Sequence, residues 1–464
     1  MQRTEQKKSV LLWTILALAW PTMLEQILQT AVQYIDTAMV GTLGTGATAA
    51  VGATTTLNWL ITGSVAAFGV GFLSYVSQAK GAGDMQRVRR VSMQASIAVL
   101  LLGSAVTVLA LSLSPVIPAL MQVDPGIRKV TSRYFFILYA PMLARTASVI
   151  FGALLHGTGD TKTPMRAGVV TNVLNVILNA LFIYKPRTVH LFSLAVRLPG
   201  AGLGVTGAAL ASAVSFVAGG LLITLALLRH PLLSPLGLPL KPDRAILAPC
   251  MKIALPNMLQ RFVTSLGYVV FAAMINALGQ ASTAAHTIAN TVEAAFYIPG
   301  YGMQAAAATL TGMAIGADDM DTLKKEQRIM LLLEFSLMLF SGVMLFVFAP
   351  HLIRLFSRDP GVTRLSSTVL RMVACSEPLY GIPLIVEGFL QGAGRTRISF
   401  LFNLIGMWGI RITGTFLCTV LFGMGLVSAW SCMILHNVIL FFLFLSFYLR
   451  KRNTIFDRGS SLLV

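Results

Sequence analysis

ALAWPTMLEQILQTAVQYIDTAMVGTL, residues 17–43, decides the architecture because it is long and apolar yet carries two acids. A helix of about 20 apolar residues spans the hydrocarbon core of a bilayer. On that helix the polar residues recur every three or four positions and form one stripe: Glu25, Gln29, Gln33 and Asp36. A carboxylate at the bilayer centre costs roughly 2.5–3.5 kcal/mol, so such residues usually face a bundle interior or a water-filled pathway.

The stripe therefore predicts a helix whose polar face borders a transport pathway. We expect Asp36 to bind a coupling cation, and Glu25, Gln29 and Gln33 to be candidates for a substrate cavity. The alternative for both acids is a neutral carboxyl that hydrogen bonds to a neighbouring helix. The same segment also carries a proline, Pro21.

The composition is that of a polytopic membrane protein, since 56% of the 464 residues are hydrophobic and only 11% are charged. The net charge of +18 comes from basic residues in short loops between apolar runs. Most of them fall on the side that holds both termini, which predicts cytoplasmic termini rather than a nucleic-acid partner. We count twelve apolar spans, at 10–42, 47–77, 91–113, 131–156, 167–184, 201–228, 250–278, 282–315, 329–349, 366–390, 398–421 and 425–449.

The two halves of the chain repeat one another at an offset of 235 residues. ALAWPTML (17–24) matches KIALPNML (252–259), and GAGDM (81–85) matches GADDM (316–320). Because each half has an even number of spans, both halves enter the membrane in the same direction. The fold class predicted is an all-α membrane protein of two parallel six-helix bundles, related by a pseudo-twofold axis along the membrane normal, that work by alternating access.

The repeat also sets the predicted domains. Residues 1–228 form the first lobe with helices 1 to 6, and residues 250–449 form the second lobe with helices 7 to 12. The basic, proline-rich segment 229–249 is the cytoplasmic linker, and 450–464 is a cytoplasmic tail.

Residues that differ between the halves are the ones that carry chemistry. Asp36 aligns with Phe271, so its acid exists in the first half alone. Glu293 in the eighth span is a candidate for binding a cationic substrate in the central cavity; the alternative is a carboxyl paired with Arg261 or Arg411. Glu334 is expected near a cytoplasmic helix end, where it reaches water.

The fifth span places three asparagines on one helix face, including Asn175 and Asn179. Their amide oxygens suit a hard cation and would complete a site with Asp36, and Ser212 in the sixth span adds a hydroxyl. The alternative for the asparagines is hydrogen bonding between helices.

No enzyme pattern is present. The sequence contains neither a Walker A loop nor an HExxH motif, and its His and Cys residues are not clustered. We therefore expect no enzymatic activity, no cofactor and no metal other than a coupling ion, with transport driven by an ion gradient or running downhill.

Several motifs together resemble the MATE (multidrug and toxic compound extrusion) family. They are Pro21 followed fifteen residues later by Asp36, the VGTLG turn at 40–44, and GTGDTKTP at 157–164 after the fourth span. The resemblance implies an antiporter that admits protons or sodium ions and expels organic, often cationic, compounds. It carries the coupling role over to Asp36, the bend to Pro21, and the remaining ion ligands to Asn175, Asn179 and Ser212.

One departure from the family pattern concerns the ion. Asn179 stands where one branch of the family has a second aspartate, and a lone carboxylate holds a bare cation less well than two. This favours protons over sodium. The rival functions are a flippase for a lipid-linked precursor, a passive channel and a membrane enzyme. We expect a monomer in a prokaryotic inner membrane, in contact with small organic substrates and membrane lipid and with no nucleic acid.

Overall fold

The computed structural model describes residues 2–191 and 194–455, so the final part of the predicted tail, 456–464, lies outside the described residues. The chain is almost entirely helical. The helices are α1 (Gln2–Gly41), α2 (Thr45–Gly81), α3 (Met85–Leu113), α4 (Ile117–Leu120), α5 (Arg128–Tyr139), α6 (Met142–Gly157), α7 (Lys162–Phe182), α8 (Val205–Arg229), α9 (Arg244–Asn276), α10 (Gln280–Gly316), α11 (Met320–Arg354), α12 (Pro360–Ala374), α13 (Glu377–Gly392), α14 (Thr396–Leu404), α15 (Thr413–Phe416) and α16 (Leu426–Ile455). Two π-helical segments, Ile405–Ile412 and Leu417–Leu421, join α14 to α16.

These helices supply the twelve predicted spans. Within the described ranges, nine helical stretches are long and apolar enough to cross a membrane by themselves. The pairs α5–α6 and α12–α13 each form one bent span, with bends of 46° and 54°. We assign the twelfth span to α10, which is 37 residues long and largely buried in its second part; it is not among the nine stretches counted above. The predicted fold class is confirmed.

The repeat in the sequence is a repeat in the structure. Helices α2 and α10 begin and end 235 residues apart, as do α6 and α13. Asp84 and Asp319 cap α3 and α11 at that same offset, each accepting a hydrogen bond from a backbone N–H three residues later. The residues before them, Gly83 and Asp318, both have positive φ angles, of 74° and 57°. The same turn is thus built twice.

The first half has one addition. Strands β1 (Arg187–Leu191) and β2 (Leu194–Leu198) form an antiparallel hairpin between α7 and α8. The hairpin occupies the loop in which the first half is longer than the second, so it extends the loop without altering the helical scaffold.

The halves meet closely at the end that carries the linker. A Cβ atom added to Gly81 would lie 2.0 Å from the carbonyl oxygen of Met313, and one added to Gly316 would lie 2.0 Å from that of Gln78. α2 and α10 therefore touch there backbone to backbone. In α2 the residues 71–79 are all buried, whereas most of 45–49 are exposed. The halves accordingly pack together at the linker end and part toward the opposite end.

Hydrogen bonds across the halves follow the same symmetry. Ser74 Oγ donates to the Gly392 carbonyl at 3.1 Å, and Thr309 Oγ1 donates to the His156 carbonyl at 3.1 Å. Ser74 and Thr309 occupy equivalent positions in the repeat. Helix α1 also stays against α10 farther from the linker, where Tyr34 donates to the Thr291 carbonyl at 3.2 Å.

The linker is fixed to the first half. Gln94 on α3 donates to the Lys241 carbonyl at 2.9 Å and accepts from the Asp243 N–H at 2.9 Å. Helix α9 begins at Arg244, so residues 244–249 of the predicted linker are helical. The division into two lobes at that linker stays a prediction.

Candidate functional site

A continuous chain of hydrogen bonds joins three helices of the first half. Asn179 on α7 donates through Nδ2 to Asp36 Oδ1 on α1 at 2.5 Å and to Asn175 Oδ1 at 3.0 Å. Asn175 in turn donates to Ser212 Oγ on α8 at 3.3 Å. The structure therefore brings together the four residues for which the sequence predicts a coupling-ion site.

Close packing of α8 on α7 makes this geometry possible. A Cβ added to Gly207 would lie 2.4 Å from the Phe182 carbonyl oxygen, and one added to Gly219 would lie 2.9 Å from Thr171 Oγ1. The absence of side chains at these glycines lets α8 approach, and Ser212, between them, reaches α7. The small-residue run of α8 thus positions the hydroxyl.

The amides are buried, while the acid keeps contact with the open side. Asn175 is 4% exposed and Asn179 is 1% exposed, whereas Asp36 is only partly buried. The carbonyl oxygen Asn179 Oδ1 is buried with no hydrogen-bond partner. A buried acceptor beside a carboxylate can take a proton donor or a small cation, because burial without a partner is costly.

Toward the linker end, the stripe on α1 finishes in a second polar contact. Glu25 Oε2 lies 3.3 Å from His156 Nε2 on α6, and Gln29 Nε2 donates to Glu25 Oε1 at 3.4 Å. Glu25 and Asp36 are eleven residues apart, so they lie three turns apart on one face, with Gln33 between them. Spacing along the sequence gives no sign of this contact between α1 and α6.

Pro21 lies inside α1, which continues unbroken from Gln2 to Gly41. Proline lacks the N–H that a helix needs, so the ladder is incomplete at this turn. Next to it, Thr22 Oγ1 donates to the Gly302 carbonyl of α10 at 2.8 Å. The helical turn that lacks a hydrogen bond is therefore held against α10 of the second half by Thr22.

Glu293 is not part of the coupling-ion chain. It is buried in the second half with 6% of its surface exposed, and its neighbouring charges are Arg411 and Glu377. The guanidinium of Arg411 lies 4.2 Å from the centre of the Phe271 ring, and its Nη2 lies 2.9 Å from Met433 Sδ. The structure thus places Glu293 inside the second bundle, and its role in substrate binding stays a prediction.

A second carboxylate cluster was missed by the sequence analysis. Glu387 on α13 accepts from Gln260 Nε2 at 2.7 Å, and Gln391 and Asn403 each lie 3.4 Å from its oxygens. Gln260 and Gln391 stand at the repeat positions of the Glu25 and His156 pair. The offset of 235 relates these positions but does not reveal the cluster, because Glu387 itself aligns with Gly152.

One expectation was wrong. Glu334 was expected to reach water near a helix end, but it lies in the middle of α11 with 0% exposure, and neither carboxyl oxygen has a hydrogen-bond partner. A Cβ added to Gly300 would lie 2.5 Å from Glu334 Oε1. The carboxyl is enclosed because α10 approaches α11 closely at that glycine.

Two fused bundles of membrane-spanning helices, closed at one end and carrying buried polar groups, define a membrane transport protein. A model for the MatE family matches residues 21–181 and 256–417. The chain belongs to this family of transporters. The two matched segments begin at the positions of Pro21 and Pro256, which is the offset of the repeat.

Several proteins similar in sequence to this chain are named for multidrug resistance or extrusion. The chain is 26% identical over 425 residues to a probable multidrug resistance protein NorM of Thermotoga maritima, covering 90% of this chain and 88% of the relative. It is 24% identical to the human multidrug and toxin extrusion protein 1, with coverages of 94% and 74%. A structure described as the outward-facing conformation of a multidrug resistance MATE family transporter has a TM-score of 0.87 at 23% identity, with 96% of each chain covered.

Proposed function

We propose that the protein is a cation-coupled antiporter that exports organic, often cationic, compounds by alternating access. The observation that carries this proposal is the chain from Asp36 through Asn179 and Asn175 to Ser212. It combines one carboxylate with three neutral oxygen-bearing groups, at the end of the molecule where the halves part. The names of the relatives support export of drugs as the transport task.

The series of hydrogen bonds from Asp36 to Ser212 has two protonation states. With Asp36 ionised, the carboxylate accepts the Asn179 N–H at 2.5 Å, as in the structure. With Asp36 protonated, the carboxyl becomes a donor, and the partnerless Asn179 Oδ1 becomes its acceptor after rotation of the amide. One proton thus reverses the direction of the hydrogen bond between α1 and α7.

Protons are the coupling ion that this set supports best. A sodium ion would take the oxygens of Asp36, Asn175, Asn179 and Ser212, but a single carboxylate supplies only one negative charge to hold it. A proton needs no more than one carboxylate and an acceptor, and both are present. Sodium is the alternative, and the test below separates the two ions.

The closed end supports a state in which substrate leaves from the side opposite the linker. If the termini are cytoplasmic, as the distribution of basic residues predicts, this state faces outward across a prokaryotic inner membrane. Protonation of Asp36 in that state would load the ion that drives the return. We propose further that the transporter acts as a monomer without a cofactor.

The rival flippase receives less support from the placement of the arginines. Arg145 Nη1 donates to Asn58 at 2.8 Å inside the first half, and Arg261 lies 5.5 Å from the Tyr301 ring in the second. Neither forms a basic groove between the halves, where a lipid-linked anion would have to pass.

The test is efflux of ethidium, a fluorescent lipophilic cation, from proteoliposomes driven separately by a pH gradient or a sodium gradient. We expect a pH gradient to drive efflux by the unaltered protein. Asp36→Asn should reduce it to the level of protein-free liposomes, because the amide cannot take up a proton. Ethidium binding in detergent should be retained.

The matched control is Glu25→Gln, which changes the other acid on the same face of α1. This variant should still respond to the pH gradient, whatever its apparent affinity for ethidium. Gradient-driven efflux by Asp36→Asn at the normal rate would overturn the coupling site, and efflux driven by sodium alone would overturn proton coupling.

A further inference from the structure

A cavity of about 1110 Å³ lies between α11 and α12, at the end of the molecule opposite the linker. One wall is a face of α11 with Phe346, Pro350 and Arg354 at intervals of four. The other is a face of α12 running from Arg364 to Cys375. The cavity is therefore separate from the cleft between the halves.

Four guanidinium groups border this cavity, and all four side chains are exposed: Arg354, Arg358, Arg364 and Arg371. Among the described residues, none of them lies within salt-bridge distance of a carboxylate. The nearest acid in sequence, Asp359, is engaged in capping α12, where it accepts the Val362 N–H at 2.8 Å. These four charges are therefore available to an anion outside the described part of the chain.

Of the four arginines, Arg371 gives the strongest indication of an anionic ligand. It lies about 10 Å farther along α12 than Arg364, two turns into the bent span. Its Nε donates to the Phe346 carbonyl at 3.2 Å, and its guanidinium lies 5.6 Å from the centre of the Phe346 ring. These contacts fix the direction of the guanidinium and leave its terminal N–H groups for a ligand. An arginine within a spanning segment usually pairs with another group or reaches water, since charge is costly in hydrocarbon.

A hydroxyl points to the same ligand. Ser367 lies on α12 between Arg364 and Arg371, is 8% exposed, and has a buried Oγ with no hydrogen-bond partner. Its neighbour Thr368, by contrast, bonds to the Arg364 carbonyl at 2.9 Å. An oxyanion between the two arginines would accept the Ser367 proton and remove this unpaired group.

Apart from Arg371, the deeper part of the cavity is apolar. Phe346 is 48% exposed there, with Pro350, Met372 and Cys375 beside it. The rim of the cavity is thus basic and its floor is mostly apolar. This arrangement fits a ligand with an anionic head and a hydrocarbon tail.

We propose that this cavity binds an acidic phospholipid from the leaflet opposite the linker. The phosphate lies between Arg364, Arg371 and Ser367, with Arg354 and Arg358 at the rim, and an acyl chain runs along Phe346. Arginine binds phosphate with two parallel N–H groups, and basic pockets beside spanning helices suit lipid headgroups. The first half has no such site, because Lys129 and Phe136 stand at the positions of Arg364 and Arg371.

The test is native mass spectrometry of the full chain in detergent, with thermal unfolding in parallel. The probes are phosphatidylglycerol, phosphatidylcholine with the same acyl chains, and inorganic phosphate. We expect one phosphatidylglycerol to bind tightly and raise the unfolding temperature. Arg371→Gln should weaken this binding roughly tenfold or more, through loss of charge-assisted hydrogen bonds.

Two further variants keep the test decisive. Ser367→Ala keeps all four charges and should weaken phosphatidylglycerol alone; it also serves if Arg371→Gln does not fold. Lys129→Gln removes the equivalent basic residue of the first half and should change nothing. Equal binding of phosphatidylcholine, equal stabilisation by inorganic phosphate, or a lipid-free dimer joined at this face would each overturn the proposal.

Discussion

The two halves differ most at one set of equivalent positions. Where the first half has its chain of a carboxylate, two amides and a hydroxyl, the second has Phe271, Ile410, Gly414 and Met433. The first three positions follow the offset of 235; Met433 follows the offset of 221 by which α8 and α16 begin, because the hairpin loop lengthens the first half. A cation is nevertheless present there, since Arg411 lies against the Phe271 ring and Met433 Sδ. The first half thus carries the proposed cation site, whereas the second half carries the guanidinium of Arg411 at the equivalent place.

The linker end shows the opposite behaviour. There Gly81 and Gly316 make equivalent backbone contacts, and Ser74 and Thr309 each donate across the halves to carbonyls that differ by one position in the repeat. The comparison shows equivalent backbone packing of both halves at the linker end, while the proposed function assigns ion coupling to the first half. Three predictions can break or sharpen that statement, in addition to the two experiments above.

The largest effect is expected at the closed end. Gly81→Ala and Gly316→Ala each put a Cβ 2.0 Å from a carbonyl oxygen of the other half. Such overpacking costs about 1–3 kcal/mol, so the closed state should lose roughly tenfold or more of its population. Transport should fall in both variants to a similar degree.

The measurement is the rate at which a water-soluble maleimide labels Cys250, with the other three cysteines replaced by serine. Cys250 is fully buried on α9, and a Cβ at Gly71 of α2 would lie 2.4 Å from its carbonyl oxygen. Gly52→Ala, on α2 with nothing within 4 Å, is the control and should leave labelling unchanged. A response to only one of the two glycine variants would refute a symmetric closure.

A smaller effect is expected from the hydroxyl of the coupling site. Ser212→Ala removes the acceptor of the Asn175 N–H, and a hydrogen bond of this kind contributes about 0.5–1.5 kcal/mol. The apparent affinity for the coupling ion should therefore fall roughly two- to tenfold, measured as efflux against the imposed gradient. Met433→Leu alters the equivalent position of the second half and should leave that affinity unchanged; an equal shift in both would contradict the asymmetry.

The smallest effect is expected at Arg411. Because its charge is tethered, Arg411→Met should leave the identity of the ion and the number of ions per substrate unchanged. Transport should stay within roughly threefold, less than 1 kcal/mol. The check is the ion gradient at which net ethidium movement reverses in proteoliposomes. A loss of gradient response as complete as that of Asp36→Asn would assign coupling to both halves.

Helical periodicity predicted much of this arrangement, and contact between helices accounts for what it could not predict. The spacing of Glu25, Gln29, Gln33 and Asp36 placed them on one face, and the structure keeps that face. Which helix each residue meets depends on bundle packing, as the contact of Glu25 with His156 shows. Spacing along one helix carries no information on its neighbours.

Glu334 shows how an error in a predicted helix boundary changes the predicted surroundings of a residue. Its place in the sequence suggested a helix end because α11 was expected to begin at 329, whereas the helix begins at Met320. Nine more residues of helix move the carboxyl into the bundle, where the glycine of α10 leaves room for it. An error in one boundary thus changed the surroundings expected for one residue.

The backbone contacts at Gly81 and Gly316 limit which residues of the repeat can differ between the halves. A backbone contact admits no compensating side chain, so neither Gly81 nor Gly316 can be exchanged without moving a carbonyl of the other half. Asp36 and Glu293 lie away from this contact, and neither has an acidic counterpart in the other half. The repeat is therefore recognisable in GAGDM and GADDM, which begin at these two glycines. It is not recognisable where the two halves carry different chemical groups.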